Sequence, residues 1–509
     1  MTATLPRRTP LTSTLTSTNT ATTTSHIMAD KERRDSGPVA ADSDSVNVPE
    51  KPTTGGEAEV FASGEGHVNF RTVGWVRAAI FLLKMTFGAG VLSLPSALYE
   101  LGAVAGGLFI LFWGLLNTYM AQLQGRFKIT HPSVHTVADS AEIAALQISG
   151  GSKKWAAVAR DVTEVVYIIT WILAAGLTTL GLSIALNAVT RHGTCSVIFG
   201  FCSYVIVATV ASIRKIEKLA WISWIGFGSV VAAILTVLIA TSIRDRPAAA
   251  PPTGDFDLGF SAWPAESATF ASAWAASLII FASSANTSGF VPVISEMRKP
   301  QDFFKSLYVV MTWITTCYMV IGMVMFRFAG KWLASPALGS AGPTIKIISY
   351  GLAIPGLIAG AMICIHVAGK SIFVRLLRGS PHLTTNTWQH WTVWLGSTYG
   401  TGLVGWIICE AVPFFGSLLS VVGALGFGPL GICLPVVLWF CMNEGVWKTG
   451  GVKGKAMWIG HAFLMVLGLF VTIAGTYAAV IVIRDQFRAG TVGQPFQCAD
   501  NSNSVASDK

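Results

Sequence analysis

Residues 84–95 read Lys-Met-Thr-Phe-Gly-Ala-Gly-Val-Leu-Ser-Leu-Pro, and they interrupt an apolar span near the start of the chain. A second apolar span is interrupted at residues 281–292, which read Phe-Ala-Ser-Ser-Ala-Asn-Thr-Ser-Gly-Phe-Val-Pro. Glycine has a low helix propensity and proline lacks a backbone donor, so each stretch predicts a break in a helix. Within a bilayer, free backbone groups are tolerated only where they line a cavity or contact protein. Two matched breaks therefore indicate a transport site near the middle of the membrane.

The composition of the chain is that of a membrane protein. Of its 509 residues, 52% are hydrophobic and 12% are charged, whereas a soluble domain carries about 25% charged residues. A stretch of about 20 apolar residues crosses the hydrocarbon layer, and the sequence contains eleven such stretches. The tenth is interrupted by Gly426, Gly428 and Pro429, so its ends are poorly defined. The eleven predicted spans lie at 74–99, 103–125, 157–187, 195–212, 219–243, 267–293, 306–329, 344–369, 391–411, 413–441 and 457–483.

The distribution of basic residues predicts the orientation in the membrane. If the N-terminus is cytosolic, the inner loops carry 16 Lys and Arg residues and the outer segments carry six, in agreement with the positive-inside rule. An odd number of spans then places the C-terminal tail, residues 486–509, outside the cell. This topology and anionic lipid at the inner leaflet account for the net charge of +9, so nucleic-acid binding is not predicted.

Residues 1–70 precede the first span and differ in composition from the rest of the chain. They are rich in Thr and Ser and then in Glu, Asp, Gly and Pro, and they offer too little apolar surface to fold alone. We therefore expect a disordered cytosolic tail in front of a transporter domain at 71–485. Phosphorylation, or ubiquitination at Lys31 or Lys51, is a candidate control of turnover, and Met28 is an alternative start.

Two smaller features lie outside the predicted spans. Residues 133–150 carry apolar side chains partly at helical spacing, which fits either a helix on the inner membrane surface or a plain connecting helix. Cys195 and Cys498 both fall on the outer side and can pair, but the sequence does not give disulfide connectivity. Free thiols are the default expectation for the eight cysteines.

Gly88, Ala89 and Gly90 form the predicted first break. If the helix opens here, a second half-helix begins near Val91, and its first backbone N–H groups lack partners at the positive end of a helix dipole. Such a terminus can bind a carboxylate. The alternative is helix packing, the commoner use of glycine in membrane helices. The matching second break favours the binding function.

Ser283, Ser284, Asn286, Thr287 and Ser288 bring five polar side chains to the predicted second break. Unwound carbonyl groups at such a break can accept hydrogen bonds from an ammonium group. Together, the two breaks would hold an α-amino acid by its carboxylate and its ammonium group. The competing interpretation is that these hydroxyl groups bond back to their own helix or join neighbouring helices.

Lys84 lies one turn before the first break, among apolar residues. An ionisable side chain inside a span is costly and is a functional candidate by default, and burial disfavours its charged form. The alternative is that the side chain extends to the inner interface. A span that begins near Arg71 places Lys84 too deep for that, so we interpret it as a functional residue. The sequence contains no nucleotide-binding loop, tight metal-ligand cluster or nucleophile elbow, so enzymatic activity is not predicted.

With its cytosolic tail, eleven spans and the motif Phe-Gly-Ala-Gly-Val-Leu-Ser-Leu-Pro at 87–95, the chain resembles the amino acid/auxin permease family. Within that family it is most similar to fungal neutral amino acid permeases of the plasma membrane, over about residues 70–485. The resemblance implies a LeuT-like fold, in which spans 1–5 and 6–10 form two inverted repeats and an eleventh span is added. It also implies a substrate site in which Gly88, Ala89 and Gly90 face Ser283, Ser284, Ala285 and Asn286.

The resemblance also bears on the coupling ion and on selectivity. Sodium-coupled members have an asparagine where this chain has Lys84, so a proton is the expected coupling ion, sodium is not, and no cofactor is implied. Phe87, Tyr167 and Phe281 are the expected selectivity residues, with room for apolar or aromatic substrates.

The predicted function is therefore import of neutral amino acids by proton symport across the plasma membrane. Two alternatives remain open at this point: a vacuolar amino acid exporter, and a nutrient sensor that signals through its tail without much flux. A sensor would need a long structured tail, whereas residues 1–70 have the composition of an unstructured one.

Overall fold

The computed structural model describes residues 73–214, 216–383, 385–490 and 494–502. Within these ranges the regular secondary structure is helical, apart from one isolated bridge between Val73 and Met297. The predicted tail at 1–70 lies outside the described residues. The α-helices are α1 (Trp75–Thr86), α2 (Ala89–Leu101), α3 (Ala103–Thr130), α4 (Val137–Ile148), α5 (Lys153–Thr190), α6 (Ser196–Ala211), α7 (Ile216–Ser242), α8 (Phe270–Ser284), α9 (Phe290–Glu296), α10 (Phe303–Ala329), α11 (Pro343–Leu377), α12 (Trp388–Ala411), α13 (Phe415–Val421), α14 (Leu434–Met442), α15 (Val446–Thr449) and α16 (Gly451–Arg488).

The described chain is a multi-pass membrane protein by the length and hydropathy of its helices. Eight segments can cross a membrane, and the pair formed by α1 and α2, bent by 50°, makes nine. Helices α6 and α12 occupy the fourth and ninth predicted spans but are not among these nine. The count of eleven spans and the inverted repeat therefore stay predictions. The eight segments are Ala103–Thr130, Lys153–Thr190, Trp221–Ser242, Phe270–Glu296, Pro300–Trp332, Pro343–Leu377, Phe415–Met442 and Gly451–Arg488.

The first predicted break is confirmed. Helix α1 ends at Thr86 and α2 begins at Ala89, two residues before the predicted Val91. The N–H group of Phe87 closes the last turn of α1 on the carbonyl of Leu83 at 2.7 Å. Gly88 then takes φ −137° and ψ −115°, which leaves the helical path and sets the new direction of α2.

The second predicted break is also confirmed. Helix α8 begins with a capping box, in which Thr269 and Ser272 satisfy each other's backbone N–H groups. It ends at Ser284, and residues Asn286–Gly289 form a 3₁₀ turn before α9. The backbone groups of this turn no longer follow the α-helical hydrogen-bonding pattern.

The interrupted tenth span contains a π-helix, Val422–Cys433, between α13 and α14. Pro429 lies inside it and cannot donate a backbone hydrogen bond, which favours a departure from α-helical pairing. π-helical segments are frequent at functional sites. At Gly426 an added Cβ atom would lie 2.5 Å from Cγ2 of Thr170 on α5, so this segment packs closely against the neighbouring span.

The segment between the second and third predicted spans contains α4. Thr136 and Asp139 form a capping box at its start, and the apolar side chains of Val137, Ala138 and Ala144 are buried. Cys441 Sγ of α14 lies 3.7 Å from the carbonyl oxygen of Ala144. This contact makes α4 a packed connecting helix.

The described end of the C-terminal tail, residues 494–502, forms what we call the C-terminal strap. Cys498 makes a disulfide bond with Cys195, the residue before α6. Ser196 Oγ donates to the carbonyl of Ala499 at 2.5 Å. Two more contacts follow: Asn187 Nδ2 of α5 donates to Asn501 Oδ1 at 2.8 Å, and Lys346 Nζ of α11 donates to the carbonyl of Ser502. The strap therefore joins the ends of α5, α6 and α11.

The expectation of free thiols is wrong for Cys195 and Cys498. These residues are 303 positions apart, and their pairing depends on how the strap packs onto α5, α6 and α11. No local pattern in the sequence predicts that packing. The remaining six cysteines carry free thiols: Cys202, Cys317, Cys364, Cys409, Cys433 and Cys441.

Candidate functional site

The first and second breaks are joined by one hydroxyl group from a third helix. Tyr318 of α10 is buried, with 1% of its surface exposed. Its Oη lies 3.2 Å from the carbonyl oxygen of Thr86 and 3.0 Å from that of Ser283. Thr86 is the last residue of α1, and Ser283 is the next to last residue of α8. One phenolic hydroxyl group therefore contacts a backbone carbonyl at each of the two breaks.

Helices α2 and α8 also touch directly. A Cβ atom added at Gly90 would lie 2.4 Å from Ser283 Cβ and 2.6 Å from Ser283 Cα, so this approach needs glycine. Ser283 Oγ donates back to the carbonyl of Ile279 at 2.6 Å. Both predicted site residues thus have a packing or helix-internal contact, as the alternative interpretation held.

Gly88 lies beside open space. No described atom lies within 4 Å of a Cβ atom built at this position. Gly88 also lines a small cavity of about 20 Å³, together with Thr178 of α5, Gly356 and Gly360 of α11, and apolar side chains. This cavity has room for about one water molecule. Of the predicted site residues, Gly88 is therefore placed to offer bare backbone to a ligand.

Lys84 is buried beside this cavity. Its side chain is 2% exposed, and its Nζ donates to the carbonyl of Gly356 at 3.2 Å. Gly356 follows Pro355 within α11 and lines the cavity with Gly88. The lysine therefore does not extend to the inner interface, and its ammonium group joins the first broken span to α11.

Ser284 is held by a residue that the sequence analysis did not single out. Asn117 of α3 donates through Nδ2 to Ser284 Oγ at 2.8 Å and to the carbonyl of Phe281 at 3.3 Å. Asn117 is fully buried, and its Oδ1 has no hydrogen-bond partner within the described ranges. This asparagine fixes the last turn of α8 against α3.

The rest of the second break carries unpaired polar groups. Ala285 is buried and Asn286 is half-buried. The hydroxyl groups of Thr287 and Ser288 are buried and lack partners in the part of the chain that the structure describes. Burying a hydroxyl without a partner is costly, so these groups are candidates to contact water or substrate. A Cβ atom at Gly431 of the π-helix would lie 3.7 Å from Thr287 Oγ1, which places that helix against the break.

The three aromatic residues expected to set selectivity lie in different surroundings. The ring of Phe87 packs against rings of α7 and α10, with centroid distances of 5.0–5.9 Å. The ring centroid of Phe281 lies 4.7 Å from that of Trp113 on α3, and that of Tyr167 lies 6.0 Å from that of Trp171 on α5. For Ala89 only the backbone is described, as the first residue of α2.

Side chains of α1 and α5 pack against the second break on its predicted cytosolic side. A Cβ atom at Gly289, the last residue of the 3₁₀ turn, would lie 3.0 Å from Cζ2 of Trp171 and closer still to Cε of Met85. Trp171 is buried, at 2% exposure. These contacts bring α1, α5 and the second break together just beyond the paired breaks.

A short backbone pairing lies at the same end of the two broken spans. Val73 N–H donates to the carbonyl of Glu296 at 3.1 Å, and Arg298 N–H donates to the carbonyl of Val73 at 2.8 Å. The residues just before α1 and just after α9 are therefore hydrogen-bonded to each other. This pairing links the predicted cytosolic ends of the two broken spans.

Tyr318 and Asn117 were missed by the sequence analysis. Both are polar residues inside predicted spans, and that is the signal that could have found them, because polar groups within a membrane are usually satisfied by specific partners. The sequence could not indicate the partners themselves. Tyr318 and Thr86 are separated by 232 positions, and Asn117 and Ser284 by 167.

The chain is similar in sequence to known transport proteins of three fungi. A "Transmembrane transporter" of Fusarium pseudograminearum is 39% identical over 464 residues, which are 91% of this chain and 94% of that protein. One of the same description from Gibberella moniliformis is 38% identical over 89% of this chain and 92% of its own length. The "N amino acid transport system protein" of Neurospora crassa is 30% identical over 86% of this chain and 90% of its length.

A solved structure and a family profile complete the comparison. Mhp1, a nucleobase-cation-symport-1 family transporter in a closed conformation with bromovinylhydantoin bound, aligns with 85% of this chain and 96% of its own, at 12% identity and a TM-score of 0.48. Residues 71–481 match the family described as transmembrane amino acid transporter protein. The chain belongs to this family, and it is a membrane amino acid transporter.

Proposed function

We propose that this transporter imports neutral amino acids, aliphatic or aromatic, by proton symport across the plasma membrane. The observation that carries the proposal is the buried ammonium group of Lys84, which lies against the Gly356 carbonyl beside the open backbone at Gly88. Because this titratable group lies at the first break, proton binding to it can be coupled to movement of that break.

The substrate would be held by the backbone at the two breaks. Gly88 has open space beside it at the start of α2, where unpaired N–H groups at a positive helix end favour a carboxylate. The second break offers the hydroxyl groups of Thr287 and Ser288, together with the half-buried Asn286. Together these groups could bind the carboxylate and the ammonium group that all α-amino acids share.

The side chain of the substrate would lie in neutral surroundings. The polar side chains at the second break are Ser, Thr and Asn, and the predicted selectivity residues Phe87, Tyr167 and Phe281 are aromatic. A charged substrate side chain would be buried there without a partner, at a large cost in free energy. This supports neutral substrates over acidic or basic ones.

The coupling step would use the two states of the Lys84 amine. When the site opens to the outside, the neutral amine takes up a proton from the external solution. When the site closes, the Gly356 carbonyl accepts a hydrogen bond from the ammonium group, and opening to the cytosol allows the proton to leave. Burial disfavours the charged form of the amine. The carboxylate of a bound substrate beside Gly88 would offset that charge, so the protonated closed state would be reached more readily when substrate is bound.

The test is uptake of a panel of labelled amino acids into proteoliposomes that contain the purified protein. An inward proton gradient is imposed with sodium or with choline as the only other cation. We expect accumulation of neutral amino acids in both media, and no accumulation without the proton gradient. A requirement for sodium, or a preference for charged substrates, would refute the proposal.

The location needs a separate measurement. Imaging of the full chain carrying a fluorescent tag, expressed in a fungal cell, separates the plasma membrane from the vacuole. Signal confined to the vacuole would favour the exporter. Absence of flux for every substrate, from protein that binds amino acids, would favour the sensor.

A further inference from the structure

The two carbonyl groups that meet at Tyr318 are ones that an unbroken helix would have paired internally. In an uninterrupted α8, the N–H of Thr287 would bond the carbonyl of Ser283, but it donates to the carbonyl of Ala285 instead, at 2.7 Å. At the first break, the N–H of Gly88 bonds the carbonyl of Thr86 at 3.0 Å, in a tighter turn. Both breaks therefore turn carbonyl oxygen atoms toward the same point on α10.

Carbonyl oxygen atoms that converge from two interrupted helices form a site of negative partial charge. In secondary transporters such unwound carbonyls commonly coordinate the coupling cation. Here the point of convergence is occupied by the Oη of Tyr318, at 3.2 Å and 3.0 Å from the two oxygen atoms. The hydroxyl group of Thr86 adds a third buried oxygen at this break, and it has no partner among the described residues.

We propose that Tyr318 is a positioning residue whose hydroxyl group takes the place of a bridging cation between the two breaks. The inference rests on the proposed proton-coupled function, because it explains how the breaks stay together without a metal ion. A phenol has one proton to donate, so it holds the two carbonyls less strongly than a full positive charge would. The two breaks can therefore separate in the transport cycle without release of an ion.

The surroundings of Tyr318 allow the hydroxyl group to be removed without disturbing the ring. The ring stacks on Phe87 with a centroid distance of 5.8 Å and an interplanar angle of 23°. The change Tyr318→Phe keeps this contact and deletes one oxygen atom. It leaves the two carbonyls facing a small gap, which a sodium ion, smaller than a hydroxyl group, can enter.

The test compares wild type and Tyr318→Phe in proteoliposomes with an imposed proton gradient, in sodium chloride or in choline chloride. Wild-type uptake is expected to be equal in the two media. For Tyr318→Phe in choline we expect kcat/KM to fall about tenfold, the cost of one lost buried hydrogen bond. Replacing choline with sodium should then raise the kcat/KM of this variant several-fold. A purely structural role would not make transport depend on sodium.

A second measurement does not depend on transport. The thermal midpoint of the purified protein is measured in each salt, and sodium is expected to raise it for Tyr318→Phe and to leave wild type unchanged, because a ligand stabilises the state that binds it. The matched control is Tyr308→Phe, the same change on α10 at a residue that is 45% exposed. It should behave as wild type in both assays.

The outcomes separate this inference from the proposed function. Equal uptake and equal thermal midpoints in the two salts for Tyr318→Phe would overturn the inference, whether or not its activity falls. A sodium requirement in wild type would overturn the proton-coupled function as well. Sodium dependence that appears in Tyr308→Phe too would also overturn the inference, because the effect would not belong to the bridging hydroxyl.

Discussion

At the scale of single residues, the first break contains two glycines with different surroundings. Gly88 borders open space, whereas an added Cβ atom at Gly90 would overlap Ser283. The sequence presents both as one motif, and the resemblance assigned both to the substrate site. The structure separates a glycine that borders open space from one that allows two helices to touch.

Substitution of these glycines should therefore give opposite phenotypes. Gly88→Ala is expected to leave abundance and the thermal midpoint near wild type and to raise the KM for all neutral amino acids about tenfold or more, since a methyl group would crowd the carboxylate site. Gly90→Ala should lower the midpoint, because it must push Ser283 away. Transport kinetics and thermal unfolding of both purified variants provide the measurement. Normal KM in Gly88→Ala would remove this residue from the site.

Lys84 gives the second prediction at this scale. Lys84→Ala should abolish accumulation against a concentration gradient, and Lys84→Arg should fail as well, because a guanidinium group does not readily lose its proton. In wild type, uptake should rise as the external pH falls, since the amine must be protonated from the outside. Accumulation driven by an imposed pH gradient measures all three. If Lys84→Ala still concentrates substrate under a proton gradient, the lysine is not the coupling group.

At the scale of helices, the hydrogen bond between Asn117 and Ser284 ties α3 to the end of α8. Neither residue has an ionisable side chain, and their bond, at 2.8 Å, is buried. Its free energy can be isolated by a double-mutant cycle with Asn117→Ala, Ser284→Ala and the double variant. We expect a coupling of about 0.5–3 kcal/mol in the unfolding free energy, as for other residues in contact. Additive effects would show that the bond does not hold the break.

How much could be predicted from the sequence also depends on scale. The breaks at Gly88 and after Ser284 were predictable because glycine, proline and polar residues act on their own helix. The burial of Lys84 followed from its depth in a predicted span. The directions of Phe87 and Phe281 could not be predicted, because a helix with apolar residues on every side gives no indication of which neighbour each ring meets.

At the scale of the whole molecule, the disulfide bond and the hydrogen bonds of the strap hold residues 494–502 to the ends of α5, α6 and α11. Disulfide bonds persist in oxidising compartments, so the bond agrees with a C-terminal tail outside the cytosol. We expect a membrane-impermeant maleimide to label Cys195 and Cys498 on intact cells only after reduction. Cys195→Ser should then leave Cys498 labelled without reductant. Labelling of wild-type Cys498 without reductant, and only after the cells are permeabilised, would place it in the reducing cytosol and reverse the predicted orientation.

The disulfide bond between Cys195 and Cys498 also closes most of the polypeptide into a covalent ring. The segment between α7 and α8, residues 243–269, lies on that ring. A protease that cuts once there opens the ring without separating its parts, so the fragments remain one molecule. On a denaturing gel they should run as a single band without reductant and as two bands with it, and the two fragments should stay covalently joined until the disulfide bond is reduced.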